Sequence, residues 1–573
     1  MVIRKRPFFP LLFALFILFA IPHLFVIVGD AQVHLAVAEN FANGRSFQYN
    51  PNGELVVAST SPFWTLLLTL FYTLVGDYAP LLLKLTVVCV WCATAVLLHR
   101  IGRDRWQLSP NGQIALLALW LGHTTLVANA LGGLENILSA LQLVWLYYLV
   151  TAPEDEPLPW RKVVSLGLLI GWAVLTRPDG GIFLVALFGC YCLALVATSE
   201  TLSTIFGRLL PRFVAVGLIA ILVVTPWYLY QYQVMGQLVT DSSVARLYNG
   251  RLGSLILIPN RLYLHPKALI SLATAFLPLS VGMLVYVGML VRNAFSTVKG
   301  NENVTRVATR ATNASLGQGF AGITAVFIFI VGLLFYTFVV GAESFGRYFL
   351  PLYPFLFLTG IVGLQQIYGF LHTYRPTIAT LFAALTILFF ASTSLLDNYR
   401  RLIPGRFTVN QPLDVIYGPA HQQYTSFNLF DLVNAPGARQ TFTYTLIQDV
   451  SGETPARIAV TEVQLRYFLD EQVEVISLDG RTSAAILTYT DPATGIPDFP
   501  RYLQETQPDF VHVNQWCAVG GFLASVSPTQ ISDNLICQWQ KTAENLTVGD
   551  TFQWEGQTIT LVAPEVVQIN WHP

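Results

Sequence analysis

Apolar runs of spanning length recur through the first 394 residues, at about 9–28, 79–98, 111–130, 134–150, 163–176, 180–198, 213–230, 268–291, 319–340, 348–369 and 377–394. A run of roughly 20 apolar residues crosses a bilayer as a helix, because only a helix pairs all of its backbone N–H and C=O groups within the segment. The eleven runs predict an α-helical polytopic membrane domain over residues 1–394. Composition agrees: 54% of residues are hydrophobic and only 11% charged, against roughly 25% charged in soluble domains. The first run follows Arg4-Lys5-Arg6 and is read as a retained helix, since it is longer than a leader's apolar core and no clear small-x-small cleavage site follows.

Charge sets the expected orientation. Counting the shorter run 62–75 as a span would put Arg100, Arg103 and Arg105 on the side opposite Arg4-Lys5-Arg6, against the positive-inside rule. Residues 62–75 are therefore expected to be an interfacial or re-entrant helix within a first outer loop, 29–78. The inner segments then hold fifteen Lys and Arg, and the outer loops before residue 395 hold seven. The N-terminus is expected in the cytoplasm and the C-terminus outside. Beyond Ser394 hydropathy falls, and residues 395–573 carry alternating runs such as Arg457-Ile-Ala-Val-Thr, Val473-Glu-Val-Ile-Ser-Leu, Phe510-Val-His-Val and Thr558-Ile-Thr-Leu-Val, with a helical stretch around Val463–Leu469. This pattern predicts a soluble extracytoplasmic domain, α/β or β-rich.

The formal net charge of −1 provides no basic field for a phosphate polymer, so nucleic acid is not an expected partner. Cys89, Cys92, Cys190 and Cys192 lie in apolar runs and read as small apolar fillers. Cys517 and Cys537 lie in the C-terminal region. They are a possible disulfide if that region faces an oxidising compartment; spacing alone leaves the pairing open.

On this topology the acids gather at one face. Asp30 follows the first span, Glu135 opens the fourth, Asp179 sits in a Thr-Arg-Pro-Asp turn, and Asp241, Glu343 and Arg347 lie in later outer loops. Taken singly, each acid also fits a helix cap or a solvated turn. Together, carboxylates where membrane helices end suggest a shared polar cavity. A site there suits transfer of a group from a carrier too apolar to leave the bilayer. Sugar transfer needs a carboxylate to take the acceptor hydroxyl's proton and a cation to stabilise the departing lipid phosphate. Asp30 is the candidate base. Arg347 is the candidate phosphate ligand, because guanidinium binds phosphate through paired hydrogen bonds. Arg246 and Lys84 are weaker cationic candidates, and snorkelling also accounts for Lys84.

Several short segments carry a family resemblance: Gly29-Asp30-Ala31, Asn40-Phe-Ala-Asn-Gly44, Tyr49-Asn50-Pro51-Asn52-Gly53-Glu54, Thr60-Ser61-Pro62-Phe63-Trp64, Gly133-Leu134-Glu135, Thr176-Arg177-Pro178-Asp179-Gly180, Pro226-Trp227-Tyr228, Asp241 to Arg246, and Arg347-Tyr348-Phe-Leu-Pro351. Their order resembles the GT-C superfamily of multi-spanning glycosyltransferases, in particular bacterial relatives of protein mannosyltransferases and arabinofuranosyltransferases. The resemblance covers most of residues 9–365. It implies an inverting transferase in a bacterial plasma membrane, with a polyprenyl-phosphate sugar donor and a glycan, lipid or protein hydroxyl as acceptor. It also implies no obligatory cofactor, while leaving room for a divalent metal. Glu54, Trp64, Glu135, Arg177, Asp179, Asp241, Glu343 and Tyr348 are the implied substrate-binding residues, with Arg347 and Arg246 on the donor phosphate.

No Walker A motif, dinucleotide fingerprint or outer-loop His/Cys ligand cluster occurs. Two positions depart from the family pattern: Gly29 stands where relatives usually carry the first of two acids, and Val57 follows Glu54 where a second acid is usual. Two other readings stay open on sequence, a transporter or flippase of a lipid-linked or polar substrate and a catalytically inactive sensor or scaffold. In a host that modifies Asn-x-Ser/Thr sites on the outer face, Asn545 is expected to be glycosylated and Asn303 and Asn313 are not. A mass shift at Asn303 or Asn313 would reverse the topology.

Overall fold

The computed structural model describes residues 20, 26–27, 29–51, 59–152, 158–197, 205–236, 238, 275–298, 320–336, 348–402, 427–428, 456–460, 473–478, 485–489, 498–513, 535–543, 545–563 and 566–571. Its helices, in chain order, are α1 (Gly29–Ala42), α2 (Pro62–Val75), α3 (Ala79–Asp104), α4 (Pro110–Gly122), α5 (Thr124–Leu131), α6 (Asn136–Val150), α7 (Trp160–Thr176), α8 (Pro178–Ala197), α9 (Leu210–Met235), α10 (Leu277–Val298), α11 (Phe320–Leu334), α12 (Tyr353–Tyr374), α13 (Pro376–Leu402), α14 (Phe499–Thr506) and α15 (Leu535–Ala543). Strands are β1 (Val26–Ile27), β2 (Phe427–Asn428), β3 (Arg457–Val460), β4 (Glu474–Ser477), β5 (Phe510–His512), β6 (Thr551–Trp554), β7 (Gln557–Ala563) and β8 (Val566–Asn570).

Among the described residues, four helical runs are long and apolar enough to cross a membrane: Pro62–Asp104, Ile205–Val234, Tyr353–Tyr374 and Pro376–Thr393. Shorter apolar helices cover Asn136–Val150, Gly181–Cys192, Leu277–Arg292 and Phe320–Leu334. The chain is therefore read as an integral membrane protein. Helices α3 to α13 overlap expected runs, but they do not establish a count of eleven; most of the run at 9–28 lies outside the described residues. One local departure has a clear cause. Residues 111–130 are two helices, because His123 adopts an extended ψ of 118° between α4 and α5. The expected helix at 62–75 forms as α2, and Gly76 breaks it with a φ of +56° before α3 begins, a conformation that glycine adopts at little cost.

The chain divides into two compact units: Met1–His23, Leu85–Pro226 and Tyr263–Arg406 form one, and Leu24–Lys84, Trp227–Leu262 and Phe407–Pro573 the other. In the first, helices approach one another through glycines, as expected where lipid tails and core side chains are equally apolar and close van der Waals contact drives association. A Cβ on Gly167 would meet Ile219 and the Val216 carbonyl, and one on Gly171 would meet Val223 and the Ala220 carbonyl, so this Gly-x-x-x-Gly seats α7 on α9. Gly282 of α10 and Gly360 and Gly363 of α12 meet backbone to backbone in the same way.

The second unit gathers the first loop with the C-terminal region. Its sheet runs β4-β3-β5-β8-β7-β6; β3 pairs with β4 and β5 in parallel, and the remaining pairs are antiparallel. The tight β6–β7 hairpin turns at Glu555 and Gly556, with φ of 45° and 82°, the left-handed pair that matches strand twist. Leu503, Ile536 and Trp539 pack on the buried face of the sheet with Val511, Ile559 and Val567, in keeping with the expected α/β or β-rich module. β3, β4, β5 and β7 lie where alternation placed them, while β1, β2, β6 and β8 were not expected; Val463–Leu469 falls outside the described residues. Asn50 covers the open edge of β4, donating to the Val475 carbonyl at 2.9 Å and accepting from the Val475 N–H at 3.1 Å. An edge strand needs such cover, because its unpaired backbone groups would otherwise template aggregation.

The glycine contacts separate two substitutions on one helix. Gly363→Ala is expected to destabilise by about 1–3 kcal/mol through overpacking. Gly369→Ala, where a Cβ meets nothing within 4 Å, is expected to be neutral or to stabilise by about 1 kcal/mol. Thermal or denaturant unfolding in detergent would show the opposite signs; equal effects would remove the proposed close crossing.

Candidate functional site

In the unit that holds the membrane helices, three separate sequence motifs meet. Gly133 takes a φ of +95°, a turn that suits glycine and sets Glu135 at the start of α6. Thr176 closes α7, Arg177 is extended at φ −156° and ψ 123°, and Pro178 opens α8. A residue before proline is pushed to extended backbone, and proline suits the first turn of a helix. The Arg177 side chain leaves from that junction. Its Nη1 donates to Glu135 Oε1 at 2.8 Å and also to Asn136 Oδ1. The guanidinium carbon lies 5.3 Å from the centre of the Tyr348 ring, within cation–π range.

The two side chains of this ion pair are 12% and 4% exposed, so the pair is largely enclosed. Enclosed charges survive only when paired and hydrogen-bonded, and Asn136 helps fix the guanidinium plane. Asn136 was not singled out in sequence, although its position directly after Gly-Leu-Glu was the available signal.

The unit holding the first loop brings other motifs together. Asp30 lies in the first turn of α1, where the helix dipole favours a carboxylate. His34 is one turn on, at i+4, on the same face. The His34 ring Nδ1 is 2.9 Å from Ser59 Oγ, and Ser59 Oγ is 2.7 Å from Thr65 Oγ1. This buried clasp joins the acidic helix to the Thr-Ser-Pro-x-Trp segment, whose Trp64 is fully buried.

The Asn-x-x-x-Gly motif is a helix terminator. Gly44 has a φ of +78°, Arg45 N donates to the Asn40 carbonyl at 3.0 Å, and Gly44 N donates to the Phe41 carbonyl at 3.2 Å, the paired bonds of a Schellman cap. Asn40 Nδ2 then donates to the carbonyls of Gln48 at 3.1 Å and Tyr49 at 2.9 Å, which fixes the return of the chain into the Tyr-Asn-Pro turn. Phe47 packs edge-on against Trp227 of the Pro-Trp-Tyr segment, with centroids 4.7 Å apart.

Of the expected site residues, Glu135, Arg177 and Tyr348 meet in one unit, and Asp30 and Trp64 lie in the other. Glu54, Asp241, Arg246, Glu343, Arg347 and Cys517 lie outside the described residues, as do the side chains of Asp179 and Cys537. Lys84 is 4% exposed; it is enclosed in the fold, so snorkelling to an interface does not account for it. Among the described residues no group of three or more His, Cys, Asp or Glu is placed to hold a metal ion, and Cys89, Cys92, Cys190 and Cys192 are free thiols.

A double-substitution cycle tests the buried pair. Glu135→Ala alone is expected to cost about 3–5 kcal/mol, because it leaves an enclosed guanidinium without its counter-charge. Adding Arg177→Met should recover part of that loss in denaturant unfolding; strictly additive losses would mean that the two groups do not interact.

No protein-family model matches the sequence, and no curated protein matches it. Solved structures do resemble the chain. ArnT from Cupriavidus metallidurans bound to undecaprenyl phosphate is 14% identical, with 98% of this chain and 97% of that chain covered, at a TM-score of 0.47. The Archaeoglobus fulgidus oligosaccharyltransferase in its apo form is 11% identical over 91% of this chain and 71% of that chain, at 0.44. The oligosaccharyltransferase AglB from the same archaeon, in complex with an inhibitory peptide and a dolichol-phosphate, is 12% identical over 92% and 72%, at 0.42. All three are likenesses at low identity.

Proposed function

We propose that the protein is a membrane glycosyltransferase that moves a sugar from a polyprenyl-phosphate donor to a hydroxyl acceptor at the outer membrane face, with inversion at the anomeric carbon. The reading is carried by the way motifs far apart in sequence become physical neighbours. Gly-Leu-Glu, Thr-Arg-Pro-Asp and the Tyr348 segment converge on the Arg177 guanidinium. The acidic helix is held by the Thr-Ser-Pro-x-Trp segment through His34. Segments kept only for helix packing would not need a charged, hydrogen-bonded cluster enclosed in a bilayer-spanning unit.

In the proposed reaction the acceptor oxygen attacks the anomeric carbon. The bond from that carbon to the phosphate oxygen breaks, and the electron pair leaves on the lipid phosphate. The acceptor's proton passes to the Asp30 carboxylate, the general base. Charge growing on the leaving phosphate needs fixed donors; Arg347 and Arg246 are proposed for it. Arg177, already paired with Glu135, is proposed to orient substrate, because a neutralised pair offers directional N–H groups with little net field.

Membranes containing the protein and supplied with polyprenyl-phosphate sugars should form product, and Asp30→Asn should lower the yield by about 100-fold or more. An unchanged yield in that variant would remove Asp30 as base. Absence of transfer by the unmodified protein from every such donor would favour a sensor or scaffold.

A further inference from the structure

One face of α6 carries a row of polar side chains that the proposed reaction does not use. Asn136, Ser139 and Gln142 follow at i, i+3 and i+6, and each is at most 3% exposed. Each also has an atom without a partner among the described residues: Asn136 Nδ2, Ser139 Oγ and Gln142 Oε1. Buried polar groups are paired in native proteins, and a lone one costs about 1–3 kcal/mol. Three together on one face point to a ligand.

The hydrogen bonds at either end fix which atoms are left over. Arg177 can only donate, so the oxygen of Asn136 faces it and the amide N–H₂ is turned away. Thr176 Oγ1 gives its one hydrogen to the Trp172 carbonyl at 3.0 Å, so it can only accept from Gln142, whose Nε2 lies 2.8 Å away. The carbonyl oxygen of Gln142 is then left facing the row. The row therefore runs from a donor, through a hydroxyl that both donates and accepts, to an acceptor. An anion would leave Gln142 Oε1 unsatisfied, and a cation would leave Asn136 Nδ2 unsatisfied. Water satisfies both.

We propose that this face binds two water molecules in file, one between Asn136 and Ser139 and one between Ser139 and Gln142. Helix neighbours three apart have Cβ atoms about 5–6 Å apart, a gap that one bridging water closes. The proton directions are consistent along the file. Asn136 Nδ2 donates to the first water, which donates to Ser139 Oγ; Ser139 donates to the second water, which donates to Gln142 Oε1. The file ends on the amide whose oxygen accepts from Arg177, so it satisfies the other end of the group that holds the guanidinium. It does not rest on the proposed function and holds for a transporter equally.

X-ray radiolytic labelling in 18O-water, with the full-length protein in nanodiscs, tests the file, because bound water marks the side chains beside it. Peptide 136–143 is expected to label at least about fivefold above the equally buried, apolar stretch 355–358, and Ser139→Ala, which removes the middle link, is expected to lower that labelling. Labelling of 136–143 no greater than that of 355–358, or unchanged in Ser139→Ala, would overturn the proposal. A near-atomic density map of the unsubstituted protein decides it independently: two ordered waters within hydrogen-bond distance of the three atoms support it, and direct side-chain pairing of those atoms or an empty face rejects it.

Discussion

A charge enclosed among lipid-facing helices must find its counter-charge within the protein, and the Arg177–Glu135 pair is where this chain meets that requirement. Much of the surrounding local structure can be read as serving it. Gly133 turns the chain so that Glu135 opens α6, Pro178 forces Arg177 into an extended junction, and Asn136 and Tyr348 hold the guanidinium in place. The glycine crossings of α7 on α9 and of α10 on α12 contribute the rigidity that a fixed ion pair needs.

The other unit meets a different constraint, that of an irregular loop whose backbone polar groups must all be satisfied. Asn40 and Asn50 meet part of it with their side chains. One joins a helix terminus to the following turn, and the other closes the open edge of β4. Both residues belong to short motifs that resemble those of lipid-linked-sugar transferases. Their role here is to fix the turn that follows α1 and to cap the edge of β4.

Some of this was legible in the sequence, for identifiable reasons. Apolar runs and alternating runs report burial directly, so most described membrane helices and the strands at 457, 473, 510 and 558 fall where periodicity placed them. The motifs around Glu135 and Arg177 stood out because charges near span ends are costly. The break at His123 was not legible, since Gly122-His123-Thr124 holds no proline and its ψ is set by tertiary packing; the ring stacks on Phe276 with centroids 4.5 Å apart. His34 and Ser59 were also missed. A lone histidine in an apolar pattern shows its partners only once α2 folds back onto α1. Nor does the sequence show that the first loop and the C-terminal region share one compact unit, because the pairing of Asn50 with Val475 spans 425 positions.

The central claim is that a sugar leaves a lipid phosphate at this protein and arrives, inverted, on a hydroxyl. The most direct measurement incubates the purified protein in nanodiscs with a polyprenyl-phosphate sugar and an acceptor, and follows both the released lipid phosphate and the anomeric configuration of the product. The account predicts one polyprenyl phosphate released for each sugar transferred, and a product of opposite configuration to the donor. Recovery of the intact lipid-linked sugar on the opposite leaflet, or a product that retains the donor's configuration, would contradict it.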